Sequence, residues 1–448
     1  MDSSNGSVKQ DGDNEPISPE SPPPRPQLFL LSLPTEILCN ILDRIPLQRT
    51  LAICCRLCKF LSPLALSRLY RHLDLRSSTR GTALPSDAPT ILDDRSNIVL
   101  ETIRYSPHDL GSYPTKLDFD LRSHYDAPRI GSTLALILHS CRNIVELELG
   151  RGDRGHGMPF SGLTEMIRGE REVWASRLRV LRIEECAGNG ASLAAVLNKL
   201  PNLVELRLGQ FLLEPNDLDQ SISALRPSFR LQTFVAKYRI TPFALAFSIS
   251  SSANSLRTID IPVNELNKFD LTLCSALTNV MLSLSLSTSP SLTASTTTQT
   301  SYFSNKRSNL PSQSPAALAA PALQKLADNF KSTLESIPYL THLSIKGHWD
   351  VGDQPLDVVR HASLLSHLPP TIETLSVKTE LNSIALVEWM DSITEEEMKK
   401  SRLKVLRLWQ KVSFSSMKRV FQSGVREKVQ DKVSEKGIKV EWYKYEKW

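Results

Sequence analysis

Residues 28–75 contain three short segments in which apolar residues recur every three or four positions, the spacing of an amphipathic helix. The first segment carries Ile37, Leu38, Ile41, Leu42 and Ile45. Pro34 suits the first turn of this helix because its missing N–H has no partner there, and Pro46 ends the helix. A third helix is predicted to start at Ser62 and Pro63, since serine favours the N-cap and proline the first helical position.

The second helix, predicted from about Gln48 to Leu61, is apolar on two of its three faces. One stripe contains Leu47, Leu51, Cys54, Cys58 and Leu61, and the other contains Ile53, Leu57, Phe60 and Leu64. A helix with two apolar faces has to be covered on two sides, yet a unit of about 45 residues rarely forms a sufficient core alone. One face is therefore expected to pack within the unit or against the following domain, and the other to contact a partner protein.

From residue 70 onward, a motif of the form apolar-x-x-apolar-x-apolar recurs along the chain. Its copies are Tyr70/Leu73/Leu75, Pro114/Leu117/Phe119, Ile144/Leu147/Leu149, Leu178/Leu181/Ile183, Leu203/Leu206/Leu208, Leu231/Phe234/Ala236, Leu256/Ile259/Ile261, Leu277/Val280/Leu282, Leu340/Leu343/Ile345, Ile372/Leu375/Val377, Leu403/Leu406/Leu408 and Gly437/Val440/Trp442. Most copies follow one another at, or slightly above, the spacing of leucine-rich repeats, which is about 20–29 residues. One copy is weak evidence, but the series predicts a repeat architecture.

The last two apolar positions of each motif alternate, so they point to one face of a short strand. The stretch before many motifs is long enough for a helix, as in ASLAAVLNKLPN. One strand–helix unit cannot bury its apolar face alone, so neighbouring units stack into a solenoid. The predicted fold class is therefore α/β, with three N-terminal helices followed by a solenoid whose parallel strands line the concave face and whose helices line the convex face.

These patterns divide the chain into three parts. Residues 1–27 contain SPESPPPRP and no hydrophobic periodicity, which predicts a disordered acidic and Pro/Ser-rich tail. Residues 28–72 are the helical domain, and residues 73–448 are the solenoid. A Ser/Thr-rich insertion at about 286–318 is predicted to be disordered, because a loop of that length is unusual in a compact unit. Residues 76–112 are expected to form a smaller irregular insertion.

Composition narrows the class of protein. The chain has 448 residues and a formal net charge of only +5, which disfavours a dedicated nucleic-acid binder. No stretch is apolar enough to suggest a membrane span, and the polar N-terminus does not resemble a secretory signal. The 7 cysteines are scattered and odd in number, so we expect a reduced, cytoplasmic or nuclear chain.

Residues 32–75 resemble an F-box of the type found in fungal F-box/leucine-rich-repeat proteins. The matching features are Leu33-Pro34-x-Glu36-Ile37-Leu38, Ile41-Leu42, the turn at Pro46, Leu51, Leu57-Cys58-Lys59 and the junction ALSRLYRHLDL. Cys54, Cys55 and Arg56 depart from the more usual aliphatic residues. The resemblance implies that the helical domain binds a Skp-family adaptor, and through it a cullin–RING ubiquitin ligase. It also implies that the repeats hold a protein substrate and that the chain is not an enzyme.

Two sets of candidate contact residues follow. The resemblance assigns adaptor binding to the apolar residues of the helical domain, some of which must serve its core instead: Leu33, Pro34, Ile37, Leu38, Ile41, Leu42, Leu51, Leu57 and Phe60. Strand residues between and after the core positions face the concave wall, and they are the candidate substrate contacts: Glu146, Glu148, Arg182, Glu184, Arg207, Lys237, Asp260, Lys346, Lys378, Arg407 and Trp409. The last repeats look basic, which could suit an acidic or phosphorylated segment, although an ordinary solvated strand face is the simpler interpretation.

The sequence offers little catalytic or cofactor chemistry. GRGDRG at 150–155 satisfies a dinucleotide-binding GxGxxG pattern, with Glu184 or Glu185 as a possible ribose ligand. The preceding strand argues against it, because buried parallel strands are continuously apolar whereas Glu146 and Glu148 alternate with leucines. Cys55 and Cys58 form a lone CxxC pair, and a structural zinc site needs four ligands. We therefore expect no cofactor, metal or catalytic group.

Three functions from different classes remain at this point. The first is a substrate receptor of a Skp–cullin–F-box ubiquitin ligase, which needs no catalytic group of its own. The second is a repeat scaffold that binds a partner without a ligase. The third, a nucleotide-dependent oxidoreductase, requires a doubly wound sheet at the GxGxxG motif.

Overall fold

The structure is a computed structural model of the 448-residue chain. It describes residues 32–76, 94–120, 127–150, 158–159, 173–188, 190–213, 227–237, 248–262, 271–284, 334–335, 337–347, 368–378, 401–411, 427, 430–431, 433–435 and 437–445. The expected tail at 1–27 and the expected insertion at 286–318 lie outside these residues. The chain divides into two compact units, Met1–Leu69 and Tyr70–Trp448, and each is described by itself.

The first unit contains three short helices: α1 (Thr35–Asp43), α2 (Gln48–Leu57) and α3 (Leu61–Leu69). Helix α1 begins at Thr35 and Pro34 is its N-cap, one residue before the first turn in which it was predicted. Helix α2 ends earlier than predicted because Cys58 has an extended backbone, with φ −159° and ψ 159°. The Cys58 Sγ then accepts a hydrogen bond from the Leu61 N–H at 3.3 Å. As a result α3 begins at Leu61, and Ser62 lies inside its first turn rather than at the N-cap.

The core of this unit joins all three helices. Leu42 of α1, Leu51 of α2 and Ala65 of α3 form a buried cluster, against which Ile45, Cys54, Cys55, Leu64 and Leu69 pack. An ion pair adds a polar link between the first and third helices, with 3.2 Å between Arg68 Nη2 and Asp43 Oδ2. The short helices are therefore held by mutual packing, as expected for segments too short to be stable alone.

The second unit is built on one sheet. Its strands in the described residues are β1 (His72–Leu75), β2 (Lys116–Asp120), β3 (Glu146–Gly150), β4 (Met158–Pro159), β5 (Val180–Gly188), β6 (Glu205–Leu213), β7 (Thr233–Ala236), β8 (Thr258–Pro262), β9 (Asn279–Leu284), β10 (His342–Gly347), β11 (Thr374–Lys378), β12 (Val405–Lys411) and β13 (Lys439–Tyr445). Apart from β4, each strand contains the last two apolar positions of one sequence motif. All twelve strands predicted from the motif series are therefore confirmed, and we call each of these strands with its motif a rung.

The strands pair in parallel and in chain order, from β1 to β13, with the two-residue β4 beside the end of β5. Each motif is in register with the next, as shown by Leu117 of β2 opposite Leu147 of β3 and Leu181 of β5 opposite Leu206 of β6. A doubly wound sheet reverses its strand order at a switch point, and this sheet does not. The described strands therefore form an α/β solenoid of the leucine-rich-repeat type.

The two faces of the sheet carry different kinds of side chain, and the face formed by the motif residues is the closed one. The motif residues on the closed face are almost all buried, and Leu147, Leu206, Phe234 and Val280 are at most 1% exposed. The alternating residues on the opposite face, which we call the open face, are mostly polar or charged, although Val235 and Met281 are apolar and some, such as Asp118, are buried. This alternation is what the period of two residues along a strand dictates when one face is buried.

Helices between the strands include α4 (Asp94–Tyr105), α5 (Ala127–Ser140), α6 (Val173–Arg177) and α7 (Gly190–Asn198), and residues 248–250, 334–335 and 433–435 are also helical. Helix α4 corrects the expectation that residues 76–112 are irregular throughout. Its residues Ser96, Leu100 and Ile103 are buried at helical intervals, so one face of the helix packs inward. A short 3₁₀ turn, Leu110–Ser112, follows α4 in the same repeat, and another, Leu271–Leu273, lies between β8 and β9.

Candidate functional site

The three-helix unit exposes large apolar side chains. The exposed fractions are 44% for Ile37, 40% for Ile41, 64% for Leu47, 46% for Ile53, 63% for Leu57 and 49% for Phe60. Ile37 and Ile41 are one helical turn apart on α1, and Ile53 and Leu57 are one turn apart on α2. Scattered exposed apolar residues are ordinary on protein surfaces, but six large ones are a large exposed apolar fraction for so small a unit.

The structure separates the candidate adaptor residues into two groups. Leu38, Leu42 and Leu51 are buried, with exposed fractions of 1%, 4% and 6%, so they hold the helices together. Pro34, Ile37, Ile41, Leu57 and Phe60 are exposed, and Leu33 is partly exposed. The core therefore uses the face of α1 that carries Leu38 and Leu42, and leaves the face with Ile37 and Ile41 available.

Two exposed apolar residues, Leu47 and Ile53, were not among the candidate adaptor contacts. Leu47 is the N-cap residue of α2, and Ile53 lies one turn before Leu57 on the same helix. Both belong to the apolar stripes of the sequence, so the signal was present. What the stripes could not show is which of the two faces the other helices cover.

The cysteines of this unit are half-buried packing residues. Cys54 and Cys55 pack against the cluster of Leu42, Leu51 and Ala65. Burial raises the pKa of the Cys55 thiol, and the neighbouring Cys54 adds to the effect. Because the thiolate is the reactive and metal-binding form, this environment does not favour chemistry at Cys55.

On the open face of the sheet, the first strands carry an ion-pair network. Its centre is Asp118 of β2, whose side chain is only 2% exposed. The carboxylate lies 2.8 Å from His72 Nε2, 3.3 Å from Lys116 Nζ and 3.4 Å from Arg76 Nη2. A buried carboxylate needs such partners. These cations balance the charge and link β1 to β2, although the buried Asp118 Oδ1 has no hydrogen-bond partner among the described residues.

Arg182 of β5 extends the network across three rungs. Its guanidinium lies 3.1 Å from Glu205 on β6, 3.5 Å from Glu148 and 3.7 Å from Glu146 on β3. Burial alone would lower the pKa of Arg182, but the hydrogen bond to Glu205 and the charges of the three glutamates raise it overall. Arg207 also bonds Glu205, with 2.6 Å between Nε and Oε1. These charges are consequently matched within the sheet.

A second, smaller network lies at the other end of the sheet. Arg407 Nε of β12 is 2.9 Å from Glu441 Oε2 of β13, and Lys439 Nζ is 2.7 Å from Glu441 Oε1. The Tyr443 hydroxyl donates a further hydrogen bond to Glu441 at 2.9 Å. These groups form a polar cluster on β12 and β13.

Several candidate substrate contacts thus have partners within the sheet. Glu146, Glu148, Arg182 and Arg207 belong to the first network, and Arg407 belongs to the second. Glu184 is exposed and lies 3.8 Å from Lys237 Nζ. The side chains of Lys346, Lys378 and Trp409 lie outside the described residues, as does the expected basic end that depends on them.

Between the two networks, the first and middle open-face positions of the strands are nearly uncharged, whereas Lys346 and Lys378 follow on the same face of β10 and β11. We call this region, on strands β7–β11, the central strip: Thr233, Val235, Thr258, Asp260, Asn279, Met281, His342, Ser344, Thr374 and Ser376. Among these ten residues Asp260 is the single acidic group, and none is Lys or Arg. Within each row the residues are direct neighbours, as Met281, Ser344 and Ser376 are across β9, β10 and β11.

The described residues offer no further chemical site. They contain no group of three or more His, Cys, Asp or Glu side chains placed to hold a metal ion. Across the same part of the chain, helices of the length and apolarity that a membrane span requires are absent. Gly150 ends β3, and the remainder of GRGDRG lies outside the described residues.

Comparisons with known proteins give little beyond the fold. No protein-family model matches the sequence, and no curated protein matches it significantly. The leucine-rich-repeat-containing protein LegL7 from Legionella pneumophila is similar in structure, with 12% identity, coverage of 77% of this chain and 87% of that chain, and a TM-score of 0.39. A protein from Bacteroides fragilis has 12% identity, coverage of 78% and 83%, and a TM-score of 0.34. The fold assignment here rests on the motif series and the strand register.

Proposed function

We propose that the chain is the substrate-recognition subunit of a Skp–cullin–F-box ubiquitin ligase. In this role the three-helix unit docks a Skp-family adaptor, and the solenoid binds a protein substrate for ubiquitination. The chain itself performs no catalysis. It acts by holding substrate and adaptor on one molecule, which raises the effective concentration of acceptor lysines near the transferring enzyme.

The observation that carries this proposal is the set of exposed apolar side chains on the three-helix unit. Ile37, Ile41, Ile53, Leu57 and Phe60 together would cost several kcal/mol if left in water, at about 1.5–3 kcal/mol for each fully buried side chain of this kind. The core of the unit is already filled by Leu42, Leu51 and Ala65, so internal packing does not need them. The F-box resemblance of residues 32–75 names the partner that suits this surface.

The geometry of the solenoid supports the second part of the proposal, which is substrate binding. A stack of parallel strands presents a long row of outward side chains at fixed spacing, which is the kind of surface that repeat proteins use for binding.

Adaptor capture tests the proposal. We expect purified full-length chain to bind a recombinant Skp-family adaptor in a pull-down, and the double substitution I37D/L57D to reduce recovery at least tenfold, because two buried anchors of about 2 kcal/mol each would be lost. The matched control is Ile98→Asp, which places the same charge at another exposed isoleucine, 64% exposed on α4 of the solenoid.

Folding measurements distinguish a loss of adaptor binding from a loss of structure. Circular dichroism and thermal melting should show that I37D/L57D remains folded, since both side chains are exposed. Undiminished adaptor recovery by this variant would show that the docking surface is wrongly placed. If the unsubstituted chain captures no adaptor at all, a repeat scaffold that acts outside a ligase is the better description, because the solenoid does not depend on the adaptor.

A further inference from the structure

Residues of like charge occupy facing positions at several places on the open face of the sheet. Asp74 of β1 is in register with Asp118 of β2, Asp118 with Glu148 of β3, and Arg182 of β5 with Arg207 of β6. Neighbouring strands are only about 4.8 Å apart, so like charges at facing positions repel each other. Each of these three pairs therefore needs an opposite charge that contacts both of its members.

The two acidic pairs are each bridged by a cation. Arg76 lies 2.9 Å from Asp74 Oδ1 and 3.4 Å from Asp118 Oδ2. Lys116 Nζ lies 3.3 Å from Asp118 Oδ1 and 3.9 Å from Glu148 Oε2. The repulsion within each acidic pair is therefore offset by a side chain of the sheet itself.

The arginine pair is bridged by a carboxylate. Glu205 Oε1 accepts hydrogen bonds from Arg182 Nη2 at 3.1 Å and from Arg207 Nε at 2.6 Å. One acid thus contacts both of the facing cations. A carboxylate between two facing cations is therefore an arrangement that this sheet already uses.

A fourth pair of like charges lies on later rungs and consists of two lysines. Lys346 of β10 is in register with Lys378 of β11. Each lysine comes two residues after a serine of the open face, Ser344 on β10 and Ser376 on β11. Because successive residues of a strand alternate between its faces, both lysines occupy facing positions on the open face.

The described strand positions around the lysine pair supply no carboxylate to bridge it. The open-face positions beside the two lysines, on β9–β12, carry no acid: Met281, Ser283, Ser344, Ser376, Arg407 and Trp409. Glu441 of β13 is already bound by Arg407, Lys439 and Tyr443. The lysine pair therefore differs from the other three pairs, and an acid from a partner would complete it.

We propose that Lys346 and Lys378 bind a carboxylate of the protein substrate, and that the substrate lies over β10 and β11 as a segment rich in Asp or Glu. The substrate carboxylate contacts both lysines in the way that Glu205 contacts both arginines, and it offsets the repulsion between them. This inference rests on the proposed function as a substrate receptor and names the chemistry of its substrate.

An unmodified acidic segment suits these positions better than a phosphorylated one. Phosphate groups on proteins are commonly bound by arginine clusters, whose planar guanidinium groups hold two oxygens at once. On the described open-face positions of β10–β13 the one arginine is Arg407, and Glu441 already binds it at 2.9 Å. Lysines carry single point charges on flexible stems, which match the single charges of Asp and Glu.

Peptide selection tests the inference. A library of random 12-residue peptides displayed on phage would be selected on the full chain and, in parallel, on the double variant Lys346→Ser/Lys378→Ser. The unsubstituted chain is expected to enrich peptides that contain two or more Asp or Glu residues, and the double variant to lose this enrichment. The matched control is Lys199→Ser/Arg230→Ser, which removes two positive charges at exposed positions outside the strands and should keep the enrichment.

A stability measurement shows whether the two lysines repel each other in the free chain. Lys378→Glu places an acid opposite Lys346, so it should raise the melting temperature, because facing opposite charges attract. The same variant should weaken the binding of an enriched acidic peptide at least tenfold in fluorescence anisotropy, a loss that unfolding cannot explain in a more stable variant. A lowered melting temperature would mean that an acid of the chain already bridges the lysines, which overturns the inference.

Four outcomes of the peptide experiments would also overturn the inference. In the selection they are enrichment of neutral or basic peptides, acidic enrichment that survives Lys346→Ser/Lys378→Ser, and no enrichment at all. In anisotropy, tenfold tighter binding after phosphoserine replaces a Glu of the enriched peptide would assign the lysines to a phosphorylated segment instead.

Adaptor capture keeps this inference distinct from the proposed function. Lys346→Ser/Lys378→Ser should capture the Skp-family adaptor as well as the unsubstituted chain does, since both substitutions lie in the second unit. If acidic peptides bind through the lysines but no adaptor is captured, the acidic-segment site stands and the ligase role falls. If the adaptor is captured but peptide binding does not depend on the lysines, the reverse holds.

Discussion

At the scale of single residues, side-chain amides bind backbone groups between neighbouring repeats. Asn143 Nδ2 donates to the Ser112 carbonyl at 2.7 Å, and Asn202 Nδ2 donates to the Ser176 carbonyl at 2.6 Å. Both asparagines stand directly before the first apolar position of their motif. Each amide thus satisfies a backbone carbonyl in a helical segment of the preceding repeat.

Gly209 shows how closely two rungs approach. A Cβ atom placed on Gly209 would lie 2.6 Å from the carbonyl carbon of Glu184 on the neighbouring strand, and the clash is with backbone. We predict that Gly209→Ala lowers the free energy of unfolding by about 1–3 kcal/mol, the usual cost of overpacking. Urea denaturation followed by circular dichroism measures this change.

A second glycine provides the control for this prediction. Gly437 has a positive φ of 73°, but a Cβ atom placed on it would meet open space, and Asn tolerates this conformation better than other residues. Gly437→Asn should therefore cost less than Gly209→Ala. An equal or smaller loss for Gly209→Ala would mean that the strands separate easily at this point.

At the scale of elements, the last strand is held by the carboxylate of Glu441. Hydrogen bonds from Lys439, Arg407 and Tyr443 lower the pKa of Glu441 from 4.5 to about 2. A carboxylate with a lowered pKa in the folded state stabilises that state above its unfolded pKa. This contribution is therefore complete above pH 4.5 and disappears as the pH falls towards 2.

We predict that Glu441→Gln reduces this acid dependence. Melting temperatures of the variant and the unsubstituted chain should differ at pH 6 and converge progressively from pH 4.5 to 2, because the carboxylate of the unsubstituted chain becomes protonated over that range. Glu427→Gln is the control, since Glu427 is exposed. A constant difference at all pH values would show that Glu441 acts through something other than its charge.

Helix α4 shows where a pattern of apolar residues was too weak to predict an element. Only Leu100 and Ile103 are large buried apolar residues in Asp94–Tyr105, and Ile98 and Tyr105 are exposed. The hydrophobic spacing is therefore diluted by apolar residues on the solvent side. The helix is stabilised by packing of one narrow face, which the sequence alone does not distinguish from a loop.

At the scale of the whole molecule, each strand of the sheet pairs only with the strands next to it in the described order. Strands pair with the motif before and the motif after, and the described strand order contains no long-range crossover. The stability of such a protein is approximately a sum of rungs and their interfaces. A defect in one rung should accordingly affect its neighbours more than distant rungs.

Leu406→Ala tests this local cooperativity. Leu406 of β12 is 1% exposed, so truncation should cost about 2–5 kcal/mol. Hydrogen exchange followed by mass spectrometry should show faster exchange in β11–β13 and unchanged exchange in β2–β3. The mirror variant Leu117→Ala, in β2, should reverse the pattern, whereas faster exchange throughout both variants would indicate a single cooperative unit.

The sequence by itself determined the number and register of the rungs, because each requires one alternating pair of apolar residues that only a strand face can bury. It likewise determined the three N-terminal helices, whose start beside Pro34 and spacing of apolar residues follow from backbone chemistry. Tertiary packing alone decided which face of α1 becomes core and which stays exposed, since Leu38 and Ile37 are equally apolar and adjacent. It also decided that the charged residues of the open face bind one another, because their partners come from different rungs that only stacking brings within reach.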